Sequence, residues 1–240
     1  MSGEFNMTSP RFVRLTGLVY LTLAIIGGFA FFTVSETLYF RGDASATAMA
    51  ITANESLFRW GIAAYWIILG IDVLLAWMLF RVFRDHAPDL AILAAWFRLA
   101  YVAIHGAAIL ELTKILALLD GAMASQSPTL RTDLIQHYMQ AHLDGFLLSL
   151  IIFGLHLNMM GWIIIRTRPL PAIIGGLVML AGSAYIIDGM AFILLEDYAA
   201  FYAATQIWIA IIATVGEVSF LLWLLVRGIR APIGRVEAKG

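Results

Sequence analysis

Six long apolar stretches, near 13–35, 57–83, 90–119, 139–165, 170–195 and 202–227, constrain this chain more than any other feature. A helix rises about 1.5 Å per residue and a bilayer's hydrocarbon core is about 30 Å thick, so roughly 20 apolar residues suffice to cross it. Backbone groups in lipid must satisfy one another, and for stretches of this length the helix does so. The pattern therefore predicts an all-α fold, a polytopic membrane bundle of six transmembrane helices. Composition agrees: 62% of the 240 residues are hydrophobic and 13% charged, more apolar surface than a water-soluble core can hide.

Arg11 and Arg14 precede the first stretch as basic residues precede a signal sequence. A signal's apolar region spans about 7–15 residues and ends at a small-x-small site. Here the apolar run continues from Leu15 through Gly27-Gly28-Phe29-Ala30-Phe31-Phe32 without such a site, so it reads as a retained helix. Residues 1–10 form a flexible polar N-terminus with a second methionine at Met7, and nothing in the sequence marks residues 1–6 as native. Residues 11–230 read as a single six-helix membrane domain and 231–240 as a cytoplasmic tail. Segments 44–56 and 126–138 mix Ala or Leu with Thr, Asn, Gln and Arg, which predicts short helices lying on the membrane surface.

Short-loop basic residues set orientation. With the N-terminus inside, Arg11, Arg14, Arg81, Arg84, Arg166, Arg168, Arg227, Arg230, Arg235 and Lys239 fall on the cytoplasmic side, against Arg41, Arg59, Lys114 and Arg131 outside. The expectation is that both termini are cytoplasmic. A net charge of −1, from 15 basic and 16 acidic residues, gives no basic stripe, so nucleic acid is not an expected partner. The absence of cysteine excludes disulfides, thiolate metal sites, iron–sulfur clusters and cysteine nucleophiles. No Gly-x-Ser-x-Gly elbow, His-Glu-x-x-His helix, phosphate-binding glycine loop or haem-attachment sequence occurs.

Ionisable side chains within the spans carry the functional information, because each costs about 2.5–3.5 kcal/mol in hydrocarbon and so faces a protein interior or water. Depth sorts them. Asp72, Arg98, His105, His156 and Glu217 lie at middle-to-inner depth; Glu36, Arg59, Glu111, Lys114, His142, Asp144 and Asp188 lie toward the outer side. Asp72 and Arg98 sit on neighbouring antiparallel helices, where an ion pair that clamps them is reasonable. His142, Ser149 and His156 recur every seven residues and make a polar stripe on one helix face.

His142 with Asp188 offers imidazole plus carboxylate, the combination used for metal binding and acid–base chemistry. His105 opposite His156 is formally a bis-histidine haem pair, although an interhelical hydrogen bond explains a lone buried histidine as well. Gln206, Ala213 and Glu217 share a face of the last helix, and a buried Glu217 without a cation would be protonated. Against these readings stands a plainer one for the outer residues, in which Arg59 and Lys114 snorkel and the acids are solvated at the headgroups.

Several of these residues belong to an ordered set of motifs. Arg14-Leu15-Thr16-Gly17, Leu57-Phe58-Arg59-Trp60-Gly61 followed by Asp72, and Trp96-Phe97-Arg98 come first. Phe153-Gly154-Leu155-His156 with Gly161, Pro171 to Gly176, Ala181-Gly182, Tyr185, Asp188, and Gly216-Glu217 before Leu222-Trp223-Leu224-Leu225 follow. Together, over roughly 11–230, they resemble the bacterial integral membrane family catalogued as domain of unknown function 4386. The resemblance implies a small multi-helix protein of a bacterial cytoplasmic membrane and brings no mechanism. It makes Arg59, Asp72, Arg98, His156, Tyr185, Asp188 and Glu217 the matching polar positions.

Three functions follow as expectations. The first is binding or transport of a small ligand, ion or lipid in an intramembrane polar pocket of Arg59, Asp72, Arg98, His105, His142, His156, Tyr185, Asp188 and Glu217, open to the outer side. The second is a membrane-embedded enzyme acting on a lipid-like substrate, with His142, Asp188 and Glu217 as candidate catalytic groups and a divalent metal or haem as candidate cofactor. The third is a non-catalytic membrane partner or regulator whose polar groups only hold helices together.

Overall fold

The computed structural model describes residues 9–122 and 125–226. Met7, the tail 231–240 and the basic residues Arg227, Arg230, Arg235 and Lys239 lie outside the described residues. Those described are helical, with no strand among them: α1 (Pro10–Phe31), α2 (Ala44–Ala53), α3 (Glu55–Phe83), α4 (Pro88–Leu119), α5 (Pro128–Thr167), α6 (Ala172–Leu194) and α7 (Tyr198–Val226). A π-helical turn, Phe32–Thr37, continues α1. Six helices are long and apolar enough to cross a membrane, namely α1 with its π turn and α3 to α7.

The two expected surface helices behave differently. Gly42 (φ +79°) turns the chain and Asp43 caps α2, its carboxylate accepting from Ala46 N at 2.8 Å. One face of α2 is then buried within the protein through Thr47, Ala48 and Ile51. The segment 126–138 is not a separate element. Ser127 Oγ accepts from Leu130 N at 3.2 Å, Pro128 takes the first helical position, and no glycine or proline follows until Gly145, so the helix runs on into the span. The resulting α5 has 40 residues, about 60 Å at the usual rise and twice what a bilayer core requires.

The chain forms two compact units. Among the described residues, the first comprises 9–21, 73–101 and 150–226, the second 22–72, 102–122 and 125–149. In the first, α5 and α6 touch backbone to backbone. A Cβ on Gly182 would lie 2.5 Å from Gly154 O, and one on Gly175 2.8 Å from Gly161 O. Small residues are what permit such approach where no hydrophobic effect drives helices together. Gly216 brings α7 equally close to α6, since a Cβ there would meet Leu177 O at 2.6 Å.

In the second unit, the core joins α2 to the long helices through Ile51, Phe58, Leu112, Leu118, Ile135 and Met139. Gly61 lets the π turn close on α3, where an added Cβ would stand 2.6 Å from Val34 Cγ2. Gly145 does the same for α5 against Ala108 of α4, at 2.7 Å.

Candidate functional site

In the first unit, five helices each place one polar side chain in a common cluster. Tyr20 of α1 and Tyr185 of α6 donate their hydroxyls to the two oxygens of Glu217 on α7, at 3.0 Å and 2.8 Å. Arg98 of α4 lies behind them: its Cζ is 5.4 Å from the centre of the Tyr20 ring and 5.1 Å from that of Phe153. Tyr20 thus connects a carboxylate, through its hydroxyl, to a guanidinium on its ring face, which suits the ring's electron-rich face.

His156 of α5 completes the cluster. Its Nε2 is 3.1 Å from Arg98 Nη1 and its Nδ1 is 2.8 Å from Ala94 O. A guanidinium only donates and a carbonyl only accepts, so Nε2 carries the lone pair and Nδ1 the proton. His156 is therefore a neutral imidazole of defined tautomer. Both ring nitrogens are engaged. Burial is deep: Arg98 is 0% exposed, His156 1% and Tyr20 2%, whereas Glu217 is half-buried.

Asp188 lies in the same unit but turns elsewhere. It is buried and accepts from Tyr198 OH at 3.0 Å, across the α6–α7 connection. Its neighbour Tyr185, three residues earlier, serves Glu217 instead. Gln206, expected on the Glu217 face, is exposed.

The second unit holds a separate polar group. His105 and His142, both 1% exposed, lie with ring centroids 6.3 Å apart, and Tyr65 stands edge-on to each at 5.6 and 5.0 Å. His142 Nδ1 is 3.2 Å from Ala108 O, and the His105 ring packs against Phe146 at 4.8 Å. His105 thus lies beside His142 within the second unit. Asp72 is buried in this unit, at 2% exposure. Ser149, between the two histidines of the α5 stripe, is also buried, and gives its hydroxyl proton to Phe146 O of its own helix at 2.6 Å.

Arg59 belongs to neither cluster. Its side chain is 43% exposed and pairs with Glu55 and Asp120, each at 2.7 Å. Glu111 and Lys114 likewise pair with each other at 2.6 Å, the lysine reaching over the Tyr138 ring. His142 and Asp188, proposed from sequence as a metal or acid–base pair, fall in different units and each has a partner of its own. Among the described residues no three His, Asp or Glu side chains are grouped to hold a metal ion.

Sequence reasoning missed Tyr20, Tyr65 and Phe153. A signal for Tyr20 existed: it stands well inside its span rather than at the headgroup level, and a tyrosine hydroxyl at that depth needs a partner. Outside the spans, Tyr39 hydrogen-bonds Gln140, and Gln140 in turn donates to Asp144 at 2.6 Å. Burial, and more weakly the Asp144 charge, hold the Tyr39 phenol above its ordinary pKa, partly offset by Arg41.

Comparison with known proteins places these residues in a family context. The profile of the family described as "Domain of unknown function (DUF4386)" matches residues 15–228. An uncharacterized protein of Archaeoglobus fulgidus is 25% identical over 187 residues, covering 77% of this chain and 93% of the relative. No solved structure matches.

Proposed function

The chain belongs to the family described as domain of unknown function (DUF4386), and from that premise we propose that it is a multi-pass membrane protein that binds or transports a small ligand, ion or lipid at the Glu217 cluster. One observation carries this reading: five helices spend costly intramembrane positions on a single group, in which two phenols hold a half-buried carboxylate beside a fully buried guanidinium. The deep members, Arg98, His156 and Tyr20, are fixed by one another. Glu217, with Tyr185, keeps exposed surface, and a carboxylate recruits a cation or a hydrogen-bond donor. The tyrosine hydroxyls orient its oxygens before the ligand arrives, which lowers the cost of binding.

The enzyme reading draws less support. Its three candidate groups, His142, Asp188 and Glu217, are each engaged by a different partner, Ala108 O, Tyr198 and Tyr185 respectively. The clamp reading predicts that the cluster matters for stability alone. The proposal also takes both termini to be cytoplasmic, from the loop arginines, and the membrane to be a bacterial cytoplasmic one, from the family resemblance. Reporter fusions at the two termini check the orientation.

The test of the site is ligand-dependent stability of the purified protein in nanodiscs, using sodium, potassium, tetramethylammonium and ethanolamine as probes. A ligand at 100 times its Kd stabilises by about 2.7 kcal/mol, which is readily measured. The expected result is that at least one probe stabilises the wild type and not Glu217→Gln, with both folded. No stabilisation by any probe, or equal stabilisation of both proteins, would overturn the assignment of the site.

A further inference from the structure

At the end of the first unit where α1 begins and α3 ends, a second group of side chains is left unused by the Glu217 cluster. Phe12 packs edge-on against Trp77, ring centroids 5.9 Å apart, and so joins the first turns of α1 to the last turns of α3. One turn beyond Trp77, the Arg81 guanidinium lies over the same indole, with Cζ 5.9 Å from the ring centre. Trp77 remains 43% exposed. Arg81 Nε is buried and has no hydrogen-bond acceptor among the described residues. Arg11 and Arg14, on either side of Phe12, are exposed, and Arg84 is half-buried with Asp85 at 3.7 Å.

We propose that this corner binds the headgroup phosphate of an anionic phospholipid, with Arg81 as its anchoring contact and Trp77 as the surface on which the adjoining chain lies. Three features point to a lipid rather than a soluble anion. A guanidinium presents a planar fork that matches two phosphate oxygens, and stacking on the indole holds that fork in place before binding. Tryptophan beside arginine is the composition of the headgroup layer, where one end of a site is apolar and the other wet. An inorganic anion would meet the guanidinium but leave the Trp77 face uncovered, whereas a phospholipid covers both. Arg11, Arg14 and Arg84 add long-range attraction for a negative headgroup without needing to touch it.

The test uses the full chain in nanodiscs of phosphatidylcholine mixed with phosphatidylglycerol. Lipids retained after release are counted by native mass spectrometry, with size exclusion as the check on folding. Wild type is expected to retain phosphatidylglycerol in preference to phosphatidylcholine. Arg81→Gln should reduce that preference about tenfold more than Arg166→Gln, an equal loss of charge at an exposed position in the same unit, as expected for one charge-assisted contact. Arg81→Lys, which keeps the charge but not the fork, should fall between them and covers the case in which the glutamine variant fails to fold. Equal retention of the two lipids by wild type would overturn the proposal. So would equal losses in Arg81→Gln and Arg166→Gln, which mark diffuse attraction only, or displacement by millimolar glycerol phosphate, which marks a soluble-anion site.

Discussion

Glu217 is the hinge of the proposed site, and its two tyrosine bonds make a quantitative prediction. Interhelical hydrogen bonds in membranes are worth about 0.6 kcal/mol on average and about 1.7 at most, because the unfolded chain in lipid finds other partners. Bonds to charged acceptors are stronger, about 1.5–3 kcal/mol. At 3.0 and 2.8 Å both tyrosine bonds have good length, and Tyr20 is 2% exposed, so water cannot replace Glu217 as its acceptor. The upper end of the membrane range therefore applies, about 1–2 kcal/mol for each arm. A double-mutant cycle isolates it: Tyr20→Phe, Glu217→Ala and the pair, then the same with Tyr185→Phe, measured by reversible unfolding in bicelles. Each cycle should return a coupling of about 1–2 kcal/mol. Glu217→Gln should cost less than about 1 kcal/mol, since an amide accepts from one phenol and donates to the other. Couplings below about 0.3 kcal/mol in both cycles would show that the tyrosines do not hold the carboxylate, and the site as drawn would fall.

Other expectations follow from the same geometry. Nitrogen NMR of His156 at pH 7 should show a neutral ring protonated at Nδ1, and Arg98→Met should disturb that spectrum although position 98 is one helix away. Gly154→Ala should destabilise by about 1–3 kcal/mol, because the new Cβ meets the backbone of Gly182, which no rotamer change can relieve; unchanged stability would refute the close α5–α6 crossing. Arg59→Ala should leave stability within error, since its two ion pairs are exposed. Tyr39 ionises less readily folded than unfolded, so its contribution is intact below the ordinary phenol pKa of about 10 and is lost as pH rises above it. Tyr39→Phe should therefore flatten the alkaline decline of the stability–pH curve.

Membrane cost made much of this legible in advance. The six spans followed from apolar run length; Arg98, His156 and Glu217 were selected because buried ionisable groups need a reason, and Tyr185 through the family resemblance; the structure brings these four together. Tyr20 escaped because its hydroxyl adds little to the polarity of an otherwise apolar helix. Arg59 was selected too, and the structure gives it exposed ion pairs with Glu55 and Asp120, which its motif position could not show. The surface helix at 126–138 failed because polarity was read as a change of direction, whereas a polar segment without glycine or proline simply prolongs the helix beyond the lipid. Individual contacts such as His105 beside His142 and Asp188 with Tyr198 were not legible, because partner choice depends on helix rotation, which the spacing of a few polar residues does not fix.

The central claim is that a ligand meets Glu217 inside the membrane-spanning region, and an experimental density map of the wild type and of Glu217→Gln in nanodiscs tests it most directly. The account predicts a non-protein group within hydrogen-bond distance of the Glu217 carboxylate in the wild type and its loss in the variant, with Tyr20, Arg98 and His156 unmoved. A wild-type map in which the side chains alone fill that space, identical to the map of the variant, would contradict it.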